Sequence, residues 1–162
     1  MTLQGLALQV KAATDEIMSK NSDLLQRARQ FIEVIPHSRA LAMRLESIEN
    51  GAATISMPYD TRFIGDPATG VIHGGAVSAL MDTCGGAAVM SHPEGPIGTA
   101  TIDLRIDYMR SATPGQRIHA RAECYHVTRS VAFVRATAFD DDSDNPVAAA
   151  TGAFTFQRAK GG

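Results

Sequence analysis

The chain has 162 residues with a formal net charge of −2, and 44% of its residues are hydrophobic. That length suits one domain with a real core, and the balanced charge offers no basic surface for nucleic acid. No apolar run approaches the roughly 20 residues of a membrane-spanning helix, and the first residues lack the basic segment, apolar core and cleavage site of a signal peptide.

Residues 2–20 place Leu3, Leu6, Ala7, Val10, Ala13, Ile17 and Met18 at helical spacing. After the break Asn21-Ser22-Asp23, a second amphipathic helix carries Leu24, Leu25, Ala28, Phe31 and Ile32 and stops before Pro36. Residues 1–35 thus read as a helical extension of a domain spanning 36–162. Their polar faces mix acids with bases, which argues for packing on the domain and against a membrane surface. From Ala40 the texture turns to strand: 40–49 and 51–58 flank Asn50-Gly51, a hairpin signal. Residues 59–72 are rich in turn formers and read as a connecting loop.

The segment 75–91 reads as a helix of an odd composition. Val77, Leu80, Met81, Cys84 and Ala88 form a bulky stripe, while Gly75, Ser78, Ala79, Asp82, Gly85 and Gly86 form a flat one. Glycine inside a helix costs roughly 0.5–1 kcal/mol relative to alanine, so Gly85-Gly86 implies the close approach of another backbone. Asp82 is a lone carboxylate in an apolar run, an arrangement rare unless the acid is paired or functional. The helix starts at His73-Gly74-Gly75, where free N–H groups and the positive dipole end can hold an anionic oxygen.

The last third is β pattern. In 99–109, Ile102, Leu104, Ile106 and Tyr108 alternate with Thr101, Asp103, Arg105 and Asp107; in 117–127, Ile118, Ala120, Ala122 and Cys124 alternate with Arg117, His119, Arg121 and Glu123. Strands at 130–140 and 146–157 follow, joined by an acidic turn at 140–146. Long strands with one apolar face predict an antiparallel sheet covered on one side, and only the 75–91 helix is apolar enough to cover it. The fold class is α+β, a curved antiparallel sheet wrapped around one central helix.

Several chemistries find no support. The turn 140–144 lacks the glycine and glutamate spacing of an EF-hand and reads as solvated, and the five histidines show no metal-ligand spacing. Neither a metal nor a cofactor is therefore expected. Ser78 is not in a GxSxG elbow, and the glycines of 70–75 fit neither GxGxxG nor a P-loop. Cys84 and Cys124 lie in apolar settings without CxxC spacing, the pattern of buried reduced thiols in a cytoplasmic protein.

The run Gly70-Val71-Ile72-His73-Gly74-Gly75-Ala76-Val77-Ser78-Ala79-Leu80-Met81-Asp82, continued by Gly98 to Ala112, resembles the hotdog-fold acyl-CoA thioesterases of the phenylacetate-degradation type, within the 4-hydroxybenzoyl-CoA thioesterase superfamily. The likeness spans roughly 40–157 and excludes the first 35 residues. It implies a homodimer, often a dimer of dimers, with active sites between subunits, an acyl-CoA substrate and coenzyme A as part of that substrate. Carried onto this chain, the helix end at His73 and Gly74, joined by Gly75, would donate backbone hydrogen bonds to the thioester carbonyl, an oxyanion hole worth roughly 2.7–4 kcal/mol per donor. Asp82, supplied across the interface, would act as general base or as nucleophile, and Thr101 matches a hydroxyl position that helps hold the water. Arg129 and Ser130 fall where the family's strand turn meets the CoA end, and Arg110 is a second cation for its phosphates. One departure stands out: many relatives carry Asn six residues before the His, where this chain has Pro67, and the adjacent Asp66 is the substitute to consider. Two rival readings remain, a non-catalytic acyl-CoA or acyl-carrier binding module and a hotdog dehydratase or hydratase. The second would need a His five residues after Asp82, where this chain has Ala87.

Overall fold

A computed structural model describes Ile32 and residues 34–159. The N-terminal helices expected over 2–35, and with them the division at residue 35, lie outside the described residues except for their end, where Ile32 is buried in the core. As expected, helical structure breaks before Pro36: Val34 is helical, while Ile35 is extended at φ −68° and ψ 116°. Pro36 then opens a new short helix, α1 (Pro36–Ala40), in whose first turn its missing N–H and fixed φ do no harm. The strand expected from residue 40 accordingly starts later.

Strands β1 (Arg44–Glu49) and β2 (Ala52–Met57) form the predicted hairpin, with Gly51 at φ +81° in its turn. The segment read as a loop over 59–72 is more ordered than expected. It holds a 3₁₀ turn at Thr61–Phe63 and a small hairpin of β3 (Ile64–Asp66) and β4 (Val71–Ile72). Helix α2 (Gly74–Met90) follows, then β5 (Thr101–Tyr108), β6 (Ile118–Val127), β7 (Val131–Phe139) and β8 (Ala148–Thr155).

The six long strands make one antiparallel sheet in the order β1-β2-β6-β7-β8-β5. Between β2 and β5 the chain must cross four strand spacings, about 19 Å at the usual separation. Helix α2, with 17 residues, is about 26 Å long and makes that crossing over the apolar face, packing mainly on β2, β6 and β7. Val77, Leu80, Met81, Cys84 and Ala88 of its bulky stripe are buried, against Ile55, Ile118, Ala120 and Val134 of the sheet. The Cys84 thiol lies 3.3 Å from Ala53 O and 3.2 Å from Ala120 O. Burial pushes its pKa up to about 12, which makes it an inert core thiol.

Two details differ from expectation. Gly85 is forced by an aromatic side chain and not by a second backbone: a Cβ there would lie 2.8 Å from Cζ of the buried Phe154, whereas Gly86 has only the Thr99 methyl at 3.9 Å. Gly85→Ala should therefore destabilise the fold by about 1–3 kcal/mol through overpacking, read as a lower urea midpoint, while Gly86→Ala should be neutral or stabilising. The second difference concerns β5. Its expected core-facing residues are only partly covered, with Ile102 56% and Tyr108 49% exposed, because β5 is an edge strand whose register shifts between Thr101 and Asp103, at Ile102. That edge is unpaired among the described residues.

Candidate active site

The start of α2 is built by unusual means, because two glycines in succession give a backbone little stiffness of its own. His73 is the N-cap, and its Nδ1 accepts the Gly75 N–H at 2.8 Å. In the neutral ring the proton then sits on Nε2. The His73 N–H is held by Phe63 O at 2.8 Å, and the His73 carbonyl accepts Ala76 N–H at 3.0 Å. The small hairpin thus aims the helix entry. Among the described residues no acceptor lies within reach of Gly74 N–H, the one donor at this end still available. The two expected donors separate: Gly74 N–H is open, and Gly75 N–H is already engaged by His73.

Tyr108 reaches the same place from the end of β5. Its hydroxyl donates to Gly74 O at 2.6 Å and lies 2.7 Å from Ser78 Oγ, which is itself 3.1 Å from Gly74 O. A cleft of about 360 Å³ opens beside this point, lined by Val71, Ile72, Val77 and Val147 together with Tyr108 and Arg110.

At the other end of β5, Thr101 donates to Asp82 Oδ1 at 2.6 Å. Asp82 is half-buried on the flat side of α2 and has no ion-pair partner among the described residues. Asp82 stands eight residues beyond Gly74, about 12 Å along the helix at 1.5 Å per residue. One carbonyl group cannot touch both within a single chain.

The remaining expected residues are placed as follows. Asp66 organises its own turn, accepting Ala68 N–H at 3.0 Å and the Thr69 hydroxyl at 2.7 Å. Those bonds, the Thr69 hydroxyl first, hold its carboxyl below the usual range. Arg110 is not a free cation. All five of its N–H donors meet acceptors of its own chain: both oxygens of Asp140, the carbonyl of Asn145 twice, and the carbonyl of Ser111. Asp140, read as part of a solvated acidic turn, is buried, and it also accepts the N–H groups of Thr113 and Asp142. Arg129 and Ser130 are exposed in the β6–β7 turn. Their turn lies toward the Asp82 end of the sheet, since Ala132 pairs with Phe154 and Phe154 with Thr101. Sequence reasoning missed the roles of Tyr108 and Ser78. The available signal was a tyrosine on an apolar strand face, whose hydroxyl needs a partner.

Comparison with known proteins fits this architecture. The family model described as "Thioesterase superfamily" matches residues 69–147. A medium/long-chain acyl-CoA thioesterase, YigI of Escherichia coli, is 28% identical over 118 residues, covering 65% of this chain and 76% of that protein. A Pseudomonas aeruginosa protein of known crystal structure is 40% identical with a TM-score of 0.73, covering 82% of this chain and 98% of its own. The E. coli PaaI protein, from the phenylacetic acid degradation operon, shares the fold at a TM-score of 0.75 and 19% identity, over 86% of this chain and 97% of its own. With its antiparallel sheet packed on one central helix and this set of relatives, the chain is a hotdog-fold protein belonging to the thioesterase superfamily.

Proposed function

We propose that the protein hydrolyses acyl-CoA to a carboxylic acid and free CoA, at a site assembled from two copies of the chain. Asp82 takes a proton from water as the water oxygen attacks the thioester carbon. The carbonyl oxygen, gaining charge, is held by the Gly74 N–H at the positive end of the partner's helix. The C–S bond then breaks, and the thiolate leaves with the proton from Asp82. Thr101 orients the carboxylate through its hydrogen bond to Oδ1. Nucleophilic attack by Asp82 through an anhydride uses the same residues.

The observation that carries this reading is the layout of β5. Its first residue, Thr101, touches Asp82, and its last, Tyr108, touches Gly74. The outer edge of β5 is open, with Ile102 and Tyr108 exposed beside it. When two such edges pair antiparallel about a twofold axis, the Thr101 end of one strand meets the Tyr108 end of the other. Asp82 of each chain then approaches the helix end of its partner, closing the gap of about 12 Å that separates the two groups in one chain. Arg129 and Ser130, near the Asp82 end, are the candidates for the CoA moiety; Arg110, fully engaged with Asp140 and nearby carbonyls, supports the wall of the cleft. The name of the YigI relative makes medium- and long-chain acyl-CoA the first substrates to try.

A panel of short, medium, long and aromatic acyl-CoA esters, followed by colorimetric detection of released thiol, tests the proposal. Turnover of at least one chain-length class is expected. Tight binding of the esters with no thiol released would favour the binding-module reading, for which Pro67 and the self-satisfied Asp66 are the supporting features.

A further inference from the structure

We infer that Tyr108, backed by Ser78, is a positioning residue for the proposed oxyanion donor: it clamps the first glycine of α2 from the neighbouring strand, so that a flexible Gly-Gly helix start presents a fixed N–H. The inference rests on the proposed thioester hydrolysis and adds to it two side chains outside the donor, base and hydroxyl set.

Consecutive glycines are the residues least able to hold a rigid donor, since they lose the most conformational freedom on ordering. A carbonyl moving toward an oxyanion gains most from donors already in place when the charge develops. At Gly75 the restraint is local, from the His73 ring. The carbonyl end of that same peptide is held from 34 residues away, by the Tyr108 hydroxyl on Gly74 O at 2.6 Å. Gly74 is thereby fixed between it and the preceding peptide, whose His73 carbonyl accepts Ala76 N–H at 3.0 Å. Ser78 completes a triangle, 2.7 Å from the Tyr108 hydroxyl and 3.1 Å from Gly74 O. Two hydroxyl protons serve three contacts. The two shorter ones are satisfied when Tyr108 donates to Gly74 O and Ser78 donates to Tyr108, so Ser78 holds the tyrosine and the tyrosine holds the glycine.

The fit is steric as well. A Cβ on residue 74 would lie 3.3 Å from both Cζ and Oη of Tyr108, so the ring sits close against the bare Cα of Gly74. A residue serving packing alone would not need its hydroxyl. Tyr108 is half exposed, and its ring buries little, yet its oxygen has two partners at short distance.

Steady-state kinetics on Tyr108→Phe and Ser78→Ala, beside the wild type, with thermal midpoint and elution volume for each, tests the clamp. Loss of the Tyr108 hydroxyl should lower kcat about tenfold and leave KM within twofold, because an oxyanion donor acts in the transition state. The midpoint and the oligomeric state should not move. Ser78→Ala should lower kcat less, and adding it to Tyr108→Phe should cost little more. An active wild type with Tyr108→Phe of equal kcat would overturn the clamp and leave the hydrolase reading intact. A fall in kcat accompanied by a lower midpoint or by dissociation would overturn it too, by assigning Tyr108 to the fold; Ser78→Ala, which keeps the ring, then reports on the hydroxyl chain alone. A wild type inactive on every ester would instead remove the hydrolase reading on which the clamp depends.

Discussion

Asp82→Asn is expected to hydrolyse acyl-CoA about a thousandfold more slowly than the wild type, with an unchanged thermal midpoint. General-base catalysis contributes roughly 10²–10⁴ in rate, and Asp66, the substitute the sequence suggests, is tied to its own turn by a hydrogen bond on each oxygen. The carboxamide oxygen of Asn can still accept the Thr101 hydroxyl at the place where Oδ1 does so at 2.6 Å, so the loss falls on proton transfer and not on folding. KM should change little, because the base acts on water. Full activity in Asp82→Asn would remove the mechanism at its centre.

The second large effect is on stability. Asp140→Ala should cost about 3 kcal/mol, near the lower end for breaking a buried ion pair because the Arg110 side chain is 23% exposed and its partner only 1%. In a domain of this size that corresponds to a fall of roughly 6–12 °C in thermal midpoint. The Arg110 guanidinium first, then the N–H groups of Thr113 and Asp142, hold the Asp140 carboxyl well below the usual carboxylate range. A depressed native pKa stabilises the fold above the unfolded value, about 3.9, and that contribution fades as pH falls toward the native value. The gap between wild type and Asp140→Ala should therefore be constant from neutral pH to about 5 and narrow below about 4. A gap that instead grew in acid would contradict the pairing. Since Arg110 and Val147 line the cleft beside Gly74, some loss of activity should accompany the loss of stability.

Much of the fold is legible in the chain because its signals are periodic. The alternation in 117–127 and the two-sided helix at 75–91 each name a buried face, and Ile118, Ala120, Ala122, Val77, Leu80, Met81 and Cys84 are on it. The small hairpin of β3 and β4 was hidden, because strands of three and two residues show no period at all. It is organised by side-chain-to-backbone bonds of Asp60, Asp66 and Tyr59. Pro36 reads as a stop, and the chain does break at Ile35 before it; that Pro36 then serves as the first-turn residue of a new short helix is not legible. At the site, the Asp82 and Gly74 positions are visible as anomalies of composition. The partners of Arg110 and Tyr108 are not, since they lie 30 and 34 residues away and no local pattern links them. A guanidinium met in a sequence looks free to bind phosphate; only the fold shows it surrounded.

The division of the site between two chains is tested most directly by subunit complementation. Gly74→Pro removes the helix-end N–H while keeping a first-turn residue that suits helices. The Tyr108 ring, 3.3 Å from a Cβ there, need give only a few tenths of an ångström, and His73 already has the extended conformation, φ −60° and ψ 133°, that a following proline requires. Gly74→Pro and Asp82→Asn should each be inactive alone. Co-expressed, they should pair at random, so that half of the dimers are mixed and each mixed dimer has one intact site, restoring roughly a quarter of wild-type turnover. Mixed dimers with no activity above the parents would contradict a site shared between subunits.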